Sequence, residues 1–206
     1  MGLYSDRFLP WLMERTLDRP IIHEQRQRAL QPAAGMVLEI GFGFGASLPA
    51  YPAAAVSEIV GLDPGPGMLR RARRHAARSP VPVRLLRATA AALPLPDGRF
   101  DTVVTQLTLC SLPNLPAALA EIRRVLRPDG RFLFWEHGLA DDPRLARWQR
   151  RLTPLHRRLA GGCRADVPIA SAIEAAGFHL ESLERYEMGL GPRALQQMYR
   201  GVARVA

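Results

Sequence analysis

The sequence predicts an α/β protein with a doubly wound parallel sheet, and three observations support this fold class. Short apolar runs alternate with helical stretches between residues 36 and 137. A glycine cluster follows the first apolar run, and an acidic residue ends the second. Strands that alternate with helices at this spacing form a parallel sheet with helices on both faces. Such sheets bind ligands beyond the carboxyl ends of the strands, where the strand order reverses.

The apolar periodicity places each element along the chain. Strands are expected at 36–40, 59–62, 81–86, 100–106, 131–137, 178–186 and 196–205. Helices are expected at 3–17, 21–30, 65–77, 115–126, 141–159 and 169–176. The segment 127–130, Arg-Pro-Asp-Gly, is a turn sequence that should separate a helix from the fifth strand.

Two segments are expected within the chain: an N-terminal helical segment (1–32) and a main α/β domain (33–206). The first helix carries one apolar stripe, formed by Leu9, Leu12, Met13 and Leu17. We expect the N-terminal segment to act as a lid that excludes water from a ligand. Peripheral contact with a membrane surface is the alternative role.

The composition excludes several classes of protein. Hydrophobic residues make up 48% of the 206, and no apolar run approaches the roughly 18 residues that span a bilayer. Polar residues or Pro break every apolar run near the N-terminus, so we expect no secretory signal and a cytoplasmic location. The two cysteines form no zinc signature and no disulfide framework, so free thiols are expected.

The net charge is +9, and all 28 basic residues are Arg. We attribute this bias to genome composition, with an anionic partner such as nucleic acid or a lipid surface as the alternative. No RNA-binding pattern of aromatic residues accompanies the arginines, so no nucleic-acid partner is expected. The oligomeric state is left open.

The glycine cluster is the main functional signal. Gly41, Gly43 and Gly45 allow a tight turn and a close approach to a nucleotide. The spacing Gly41-x-Gly43-x-x-Ala46 also fits the dinucleotide pattern of dehydrogenases. Glu39 favours another ligand, because its carboxylate attracts the cationic amino acid end of S-adenosylmethionine (SAM) and repels a pyrophosphate. We also expect no second domain for a hydride-transfer substrate.

Asp63 ends the second strand, 22 residues after Gly41. An acidic residue at this position can accept hydrogen bonds from both ribose hydroxyls of a nucleotide. The alternative role for Asp63 is that of a helix N-cap before Pro64.

Four motifs, taken together and in this order, resemble those of class I SAM-dependent methyltransferases with a type 11 methyltransferase domain. They are EIGFGFG (39–45), GLDP (61–64), LPLPDGRFD (93–101) and EIRRVLRPDG (121–130). They cover about residues 36–137. The resemblance implies a Rossmann-like sheet of seven strands with the last strand antiparallel. It also implies that SAM lies over the glycine loop and leaves as S-adenosyl-L-homocysteine.

The resemblance extends to further cofactor positions, with one departure. Many relatives have Gly-Asp-Ala-Glu before the Leu-Pro motif, whereas this chain has Ala-Thr-Ala-Ala at 88–91. The Asp that usually contacts adenine is replaced by Thr89, so the Thr89 hydroxyl or the Ala90 amide is the expected contact. Thr105, Gln106 and Leu107 should line the methionine end of the cofactor.

The second half of the chain resembles a subgroup that includes the membrane-associated alkyl thiol methyltransferases. The motifs are TLCS (108–111), WEHG (135–138), RWQ (147–149), GGC (161–163) and YxGxA (199–203). Those relatives have a hydrophobic N-terminal anchor, whereas the N-terminal segment expected here is the amphipathic helix 3–17.

His137, at a strand end on the ligand side, is the predicted catalytic base or orienting group. Its alternative is a histidine that binds loop backbone. Glu136 is expected to orient His137 or to cap a turn. Cys110 and Cys163 are expected to pack as small apolar groups and no metal is predicted, with a soft-metal or metalloid site built from both cysteines and His137 as the alternative.

Trp148 is expected to wall the acceptor pocket or to lie in the core. The sequence as a whole predicts a SAM-dependent methyltransferase for a small, fairly apolar acceptor, with a thiol favoured. Methylation of a lipid or quinone precursor is one alternative. A SAM-binding protein without catalysis is the other.

Overall fold

The computed structural model describes Trp11, Arg15 and residues 19–159, 161–189 and 191–206. The strands are β1 (Gly35–Ile40), β2 (Val56–Leu62), β3 (Val83–Leu86), β4 (Phe100–Gln106), β5 (Leu126–His137), β6 (Phe178–Glu187) and β7 (Gln197–Val205). The described α-helices are α1 (Pro20–Leu30), α2 (Pro66–Ala76), α3 (Leu115–Val125), α4 (Pro143–Leu159) and α5 (Ile169–Ala175). Among the described residues, no helix is long and apolar enough to cross a bilayer.

The seven strands form one sheet in the order β3-β2-β1-β4-β5-β7-β6. Strands β1 to β5 pair in parallel, and β7 pairs antiparallel with both of its neighbours. The predicted α/β class, the seven strands and the antiparallel last strand are therefore confirmed. The strand order reverses between β1 and β4, so their carboxyl ends flank the place where such sheets bind ligands.

Apolar clusters cover both faces of the sheet. On one face the sheet packs against α3 and α5, with a cluster that includes Leu38, Ile40, Phe132, Leu119 and Ile173. On the other face it packs against α1 and α2, with a cluster that includes Val37, Ile59, Leu133, Leu30 and Ala72. Burial on both faces explains why the central strands are nearly continuous apolar runs in the sequence.

The observed elements differ from the predicted ones in a few places. Strand β5 begins at Leu126, so the segment 127–130 lies within that strand and not between two elements. Its residues form a bulge, since Leu126 pairs with Phe100 and Arg131 already pairs with Thr102. The four residues 127–130 lie opposite the single residue Asp101, so the turn sequence interrupts the pairing with β4 without ending the strand. The predicted apolar stripe of helix 3–17 lies outside the described residues.

The motifs LPLPDGRFD (93–101) and EIRRVLRPDG (121–130) contact each other at the amino-terminal side of β4. Arg124 of α3 donates to the carbonyl oxygens of Leu93 and Leu95, and it pairs with Glu121 and Asp97. The Glu121 carboxylate also accepts from the Leu93 amide at 2.7 Å. The guanidinium therefore fixes the loop that leads into β4.

Candidate active site

The glycine turn after β1 is tied to the end of β2. The amides of Gly41 and Phe42 both donate to the Leu62 carbonyl at 2.9 Å. Gly41 has a φ of +75°, and a Cβ at that position would collide with the Thr108 side chain. Both the backbone conformation and the close packing therefore require glycine at position 41.

The Asp63 carboxylate holds this turn against the start of α2. Its Oδ2 accepts from the Gly43 amide at 3.0 Å, and its Oδ1 accepts from the Gly65 amide at 2.7 Å. Burial raises the pKa of Asp63, although these two amides lower it. A carboxylate has about four acceptor positions, so Asp63 keeps lone pairs for a ligand. A Cβ on Gly43 would meet only the Gly41 carbonyl oxygen, 3.9 Å away, so the space beside the turn is open.

Glu39 lies inside the protein, on the face of the sheet that α1 covers. Its Oε2 accepts from the Ser47 hydroxyl at 2.6 Å and from the Tyr51 hydroxyl at 2.8 Å. Burial raises the pKa of Glu39 from 4.5 to about 7, while the two hydroxyls and the charge of Arg26 lower it. A cationic ligand beside this carboxyl would favour the ionised form.

The end of β4 carries polar groups without partners. In the part of the chain that the structure describes, Gln106 Nε2 and Oε1 are buried and make no hydrogen bond. The next residue, Leu107, has a φ of +53°, the left-handed conformation that a leucine adopts only at a cost of about 1–3 kcal/mol. Orphaned polar atoms and backbone strain of this kind concentrate at binding sites.

Glu136 of β5 holds the turn that follows β4. Its Oε2 accepts from the Thr108 amide at 2.7 Å. Burial raises the pKa of Glu136 to about 7, and nearby backbone amides, those of Leu109 and Thr108 among them, lower it. The catalytic role predicted for Glu136 stays a prediction.

His137 and the two cysteines, which are far apart in the sequence, meet at the ends of β4 and β5. Cys110 lies in the short turn Leu109–Ser111, and Cys163 lies in the loop after α4. Their sulfur atoms are 3.4 Å apart, and Cys163 Sγ is 3.6 Å from His137 Nδ1. Both cysteines are free and buried, whereas His137 is half-buried.

The remaining predicted positions lie around this edge of the sheet. Thr89 and Ala90 follow β3, where the Thr89 side chain is exposed and Ala90 is buried. Pro64 is exposed directly after Asp63. Trp148 is 57% exposed, so the core position considered for it is wrong. The assignment of Trp148 to an acceptor pocket stays a prediction.

The fold is similar to that of solved methyltransferases. A SAM-dependent methyltransferase from Mesorhizobium loti superposes with a TM-score of 0.70, at 19% identity, over 91% of this chain and 99% of that one. A SAM-dependent methyltransferase from Aquifex aeolicus gives a TM-score of 0.69 at 17% identity, over 96% and 98% of the two chains.

Sequence comparison identifies the family. Residues 38–134 match the family described as "Methyltransferase domain". Phosphatidylethanolamine N-methyltransferase of Cereibacter sphaeroides is 33% identical over 159 residues, which are 76% of this chain and 75% of that protein. The chain belongs to the SAM-dependent methyltransferases.

Two other members of the methyltransferase family show how the similarity is distributed. Thiol S-methyltransferase TMT1B of Homo sapiens is 33% identical over 77% of this chain and 66% of that protein. Demethylmenaquinone methyltransferase of Thermus thermophilus is 39% identical over 52% of this chain and 50% of that protein. The match therefore spans between half and two thirds of these relatives.

SAM is the cofactor of this methyltransferase family, and the residues present fit it. The open space beside Gly43 leaves room for a ligand against bare backbone. Asp63 retains lone pairs for ribose hydroxyls. Gln106 presents both a donor and an acceptor without partners, which suits the amino and carboxylate groups of the methionine end.

Sequence reasoning missed three residues of the site. Ser47 and Tyr51 bind Glu39, and Thr108 packs against Gly41 and donates its amide to Glu136. Ser47 and Tyr51 lie in the irregular segment after the glycine turn, where no periodic pattern marks an inward side chain. The TLCS motif (108–111) contained Thr108, but its packing against a glycine is visible only in three dimensions.

Proposed function

We propose that this chain transfers the methyl group of SAM to a small, fairly apolar acceptor, with a thiol favoured. The observation that carries the proposal is the arrangement at the reversal of strand order. An open glycine turn, the Asp63 carboxylate and the unpartnered Gln106 amide follow three neighbouring strands. Together they suit the adenosyl and amino acid ends of one ligand.

SAM supplies a methyl group on a positively charged sulfur, and this chain supplies position. Displacement at the methyl carbon is in line, so the main contribution of the protein is to hold the two reactants close and aligned. Asp63 would fix the ribose, and Glu39 would favour the cationic amino acid end. His137, at the end of β5, would orient or deprotonate the acceptor.

Two observations favour a thiol. The thiol S-methyltransferases of Homo sapiens and Rattus norvegicus are 32–33% identical to this chain over 72–77% of its length. A thiol also needs little activation, because its unperturbed pKa is about 8.5.

A lipid or quinone precursor is the second candidate acceptor. It is favoured by the similarity to the phosphatidylethanolamine N-methyltransferase and to the demethylmenaquinone methyltransferase. A SAM-binding protein without catalysis is the third candidate, favoured by Thr89 at the position where many relatives have Asp.

Two measurements separate these candidates. Calorimetry with SAM and with S-adenosylhomocysteine should show binding of both to the pure protein. Labelled SAM should then transfer its methyl group to alkyl thiols in a panel that also contains phenols and lipid extracts. Absence of SAM binding would contradict all three candidates. Labelled lipids beside unlabelled thiols would favour the second candidate, and binding without any transfer would favour the third.

His137→Ala tests the acceptor side. Because His137 lies away from the glycine turn, its loss should lower turnover by about 100-fold or more while SAM affinity changes little. Initial rates give the turnover number, and calorimetry on the same preparation gives the dissociation constant of SAM. His179→Ala is the control, since His179 is an exposed histidine of β6. An equal loss of turnover and SAM affinity in His137→Ala would make the residue structural.

A further inference from the structure

The chain has two cysteines, and both converge on one of its five histidines. We propose that Cys110, Cys163 and His137 form a Zn²⁺ site at the acceptor side, with the fourth coordination position open. Thiolate and imidazole are the ligands that zinc prefers in proteins, and three protein ligands with one open position are typical of catalytic zinc.

The distances among the three side chains agree with tetrahedral coordination. Zn–S bonds of about 2.3 Å and Zn–N bonds of about 2.0–2.1 Å place two sulfurs about 3.8 Å apart and a sulfur and a nitrogen about 3.6 Å apart. The corresponding separations are 3.4 Å between the sulfurs and 3.6 Å between Cys163 Sγ and His137 Nδ1. All three ligand atoms lie within 4.8 Å of one another. The two separations that involve Cys163 are therefore within about 0.4 Å of those in a tetrahedral site.

Hydrogen bonds hold the two cysteine segments together. The Arg164 amide, next to Cys163, donates to the Cys110 carbonyl at 2.9 Å. The Arg164 side chain donates to the Leu112 carbonyl at 3.3 Å, and His156 Nδ1 lies 3.1 Å from the Cys163 carbonyl oxygen. The Cys163 carbonyl and the residue that follows it are thus held by hydrogen bonds that do not involve the thiols. Ligands arranged in advance in this way lose little conformational entropy when metal binds.

The loop position also depends on α4. Gln149 of α4 is fully buried and bonds the chain that leaves β5, at the Gly138 carbonyl and the Ala140 amide. Because α4 is anchored at this point, its far end delivers the 161–163 loop to the turn that contains Cys110.

The open position faces the acceptor side. Cys110 and Cys163 are buried, whereas His137 is half-buried, so the cluster meets solvent beside His137. Cys110 also lies in the turn that follows Gln106 and Leu107, the expected methionine end of SAM. An acceptor bound at the fourth position would therefore approach the cofactor from the β4–β5 side.

This placement gives the metal a role that rests on the proposed function. A thiol acceptor that binds Zn²⁺ releases its proton to solvent and stays a thiolate at neutral pH. Its sulfur lone pair then forms the new bond to the methyl carbon. The bond from that carbon to the SAM sulfonium breaks, and its electron pair stays on the sulfur of S-adenosylhomocysteine. With Nδ1 bound to the metal, His137 positions the acceptor and takes no proton.

Metal content tests the site without any assay of activity. Protein purified under reducing conditions, loaded with Zn²⁺ and freed of excess metal should hold one zinc per chain by atomic emission. Co²⁺ in its place should give thiolate-to-cobalt charge-transfer absorption and the visible bands of tetrahedral cobalt. Reduced protein that retains no zinc would overturn the proposal. Freshly isolated protein with Cys110 and Cys163 joined in a disulfide would overturn it as well.

Variants locate the metal. Cys163→Ala and His137→Ala should each lose the bound zinc and the tetrahedral cobalt spectrum, whereas His179→Ala should keep both. Cys110 is fully buried, so the zinc content of Cys110→Ala is informative only if the variant still unfolds cooperatively on heating. If it does not, the zinc content of Cys163→Ala decides whether the thiols bind the metal. Zinc content equal to wild type in both Cys163→Ala and His137→Ala would overturn the site.

The role of the zinc toward the acceptor is tested separately, by the rate of methyl transfer. Zinc-loaded protein should methylate alkyl thiols at least about tenfold faster than chelator-treated protein, at unchanged SAM affinity. Equal rates would leave the metal site standing and overturn its role toward the acceptor. Zinc binding without transfer to any acceptor would contradict the proposed function alone.

Discussion

The two halves of the candidate site are built differently. At the ends of β1 and β2 the acidic side chains already have hydrogen-bond partners: Glu39 has two hydroxyls and Asp63 has two amides. At the ends of β4 and β5, where the methionine end of SAM and the acceptor are expected, both polar atoms of the buried Gln106 amide lack a hydrogen-bond partner. The polar side chains of the first half have hydrogen-bond partners before a ligand binds, whereas those of the second half can still form hydrogen bonds to a ligand.

This difference follows from what each half must do. Buried polar atoms that already have partners cost little and keep a constant shape for a constant ligand. An unpartnered buried polar atom destabilises the protein by about 1–3 kcal/mol, and a ligand can recover that energy by bonding to it. The comparison predicts opposite responses to mutation on the two sides.

The largest expected effect concerns pH and Glu39. Its pKa in the folded protein, about 7, lies above the ordinary 4.5. The stability contributed by this raised pKa is fully present below pH 4.5 and is lost as the pH rises through 7. Between about pH 5 and about pH 8, wild type should lose up to about 3 kcal/mol relative to Glu39→Gln. Urea unfolding of both proteins measures the change, and a pH-independent difference would contradict the buried carboxyl.

The next effect concerns Asp63. Asp63→Asn keeps the shape of the side chain but removes its charge and one acceptor atom. Because charge-assisted hydrogen bonds contribute about 1.5–3 kcal/mol each, SAM affinity should fall about 100-fold. Calorimetry gives the dissociation constant. Glu58→Gln, in the strand β2 that precedes Asp63, is the matched control and should bind SAM like wild type. An unchanged affinity in Asp63→Asn would place the ribose elsewhere.

A smaller pair of effects contrasts the two sides directly. Tyr51→Phe removes a donor to buried Glu39 and should destabilise the protein by about 1–2 kcal/mol. Gln106→Leu replaces an unpartnered amide with an apolar side chain of similar volume. It should stabilise the ligand-free protein by about 1 kcal/mol and weaken SAM binding. Thermal unfolding with and without SAM tests both variants. Destabilisation by Gln106→Leu without ligand would contradict the unsatisfied amide.

Sequence patterns predicted the fold and marked the glycine turn after β1, for a physical reason. Central strands buried on both faces are continuous apolar runs, and the turn after β1 requires glycine at position 41. Asp63 is recognisable because it ends a strand at a fixed distance from that turn. These features depend on short stretches of chain, which a single sequence contains in full.

The acceptor side depends on long-range closure, which the pattern does not contain. Cys110 and Cys163 meet only because α4, anchored by Gln149, carries a loop back to the β4 turn. Likewise, the segment 127–130 has the composition of a turn, but β5 pairs with β4 both before it, at Leu126, and after it, at Arg131. In both cases tertiary contacts decide what local composition leaves open.

The Arg124 network has a consequence for protein engineering. One guanidinium joins the helix to the loop, so we expect that the segments 93–97 and 121–124 can be exchanged only together. A chimera that imports only one of the two segments from a relative should lose the hydrogen bonds between Arg124 and the loop. A chimera that imports both segments should keep the Arg124 hydrogen bonds and the loop that leads into β4.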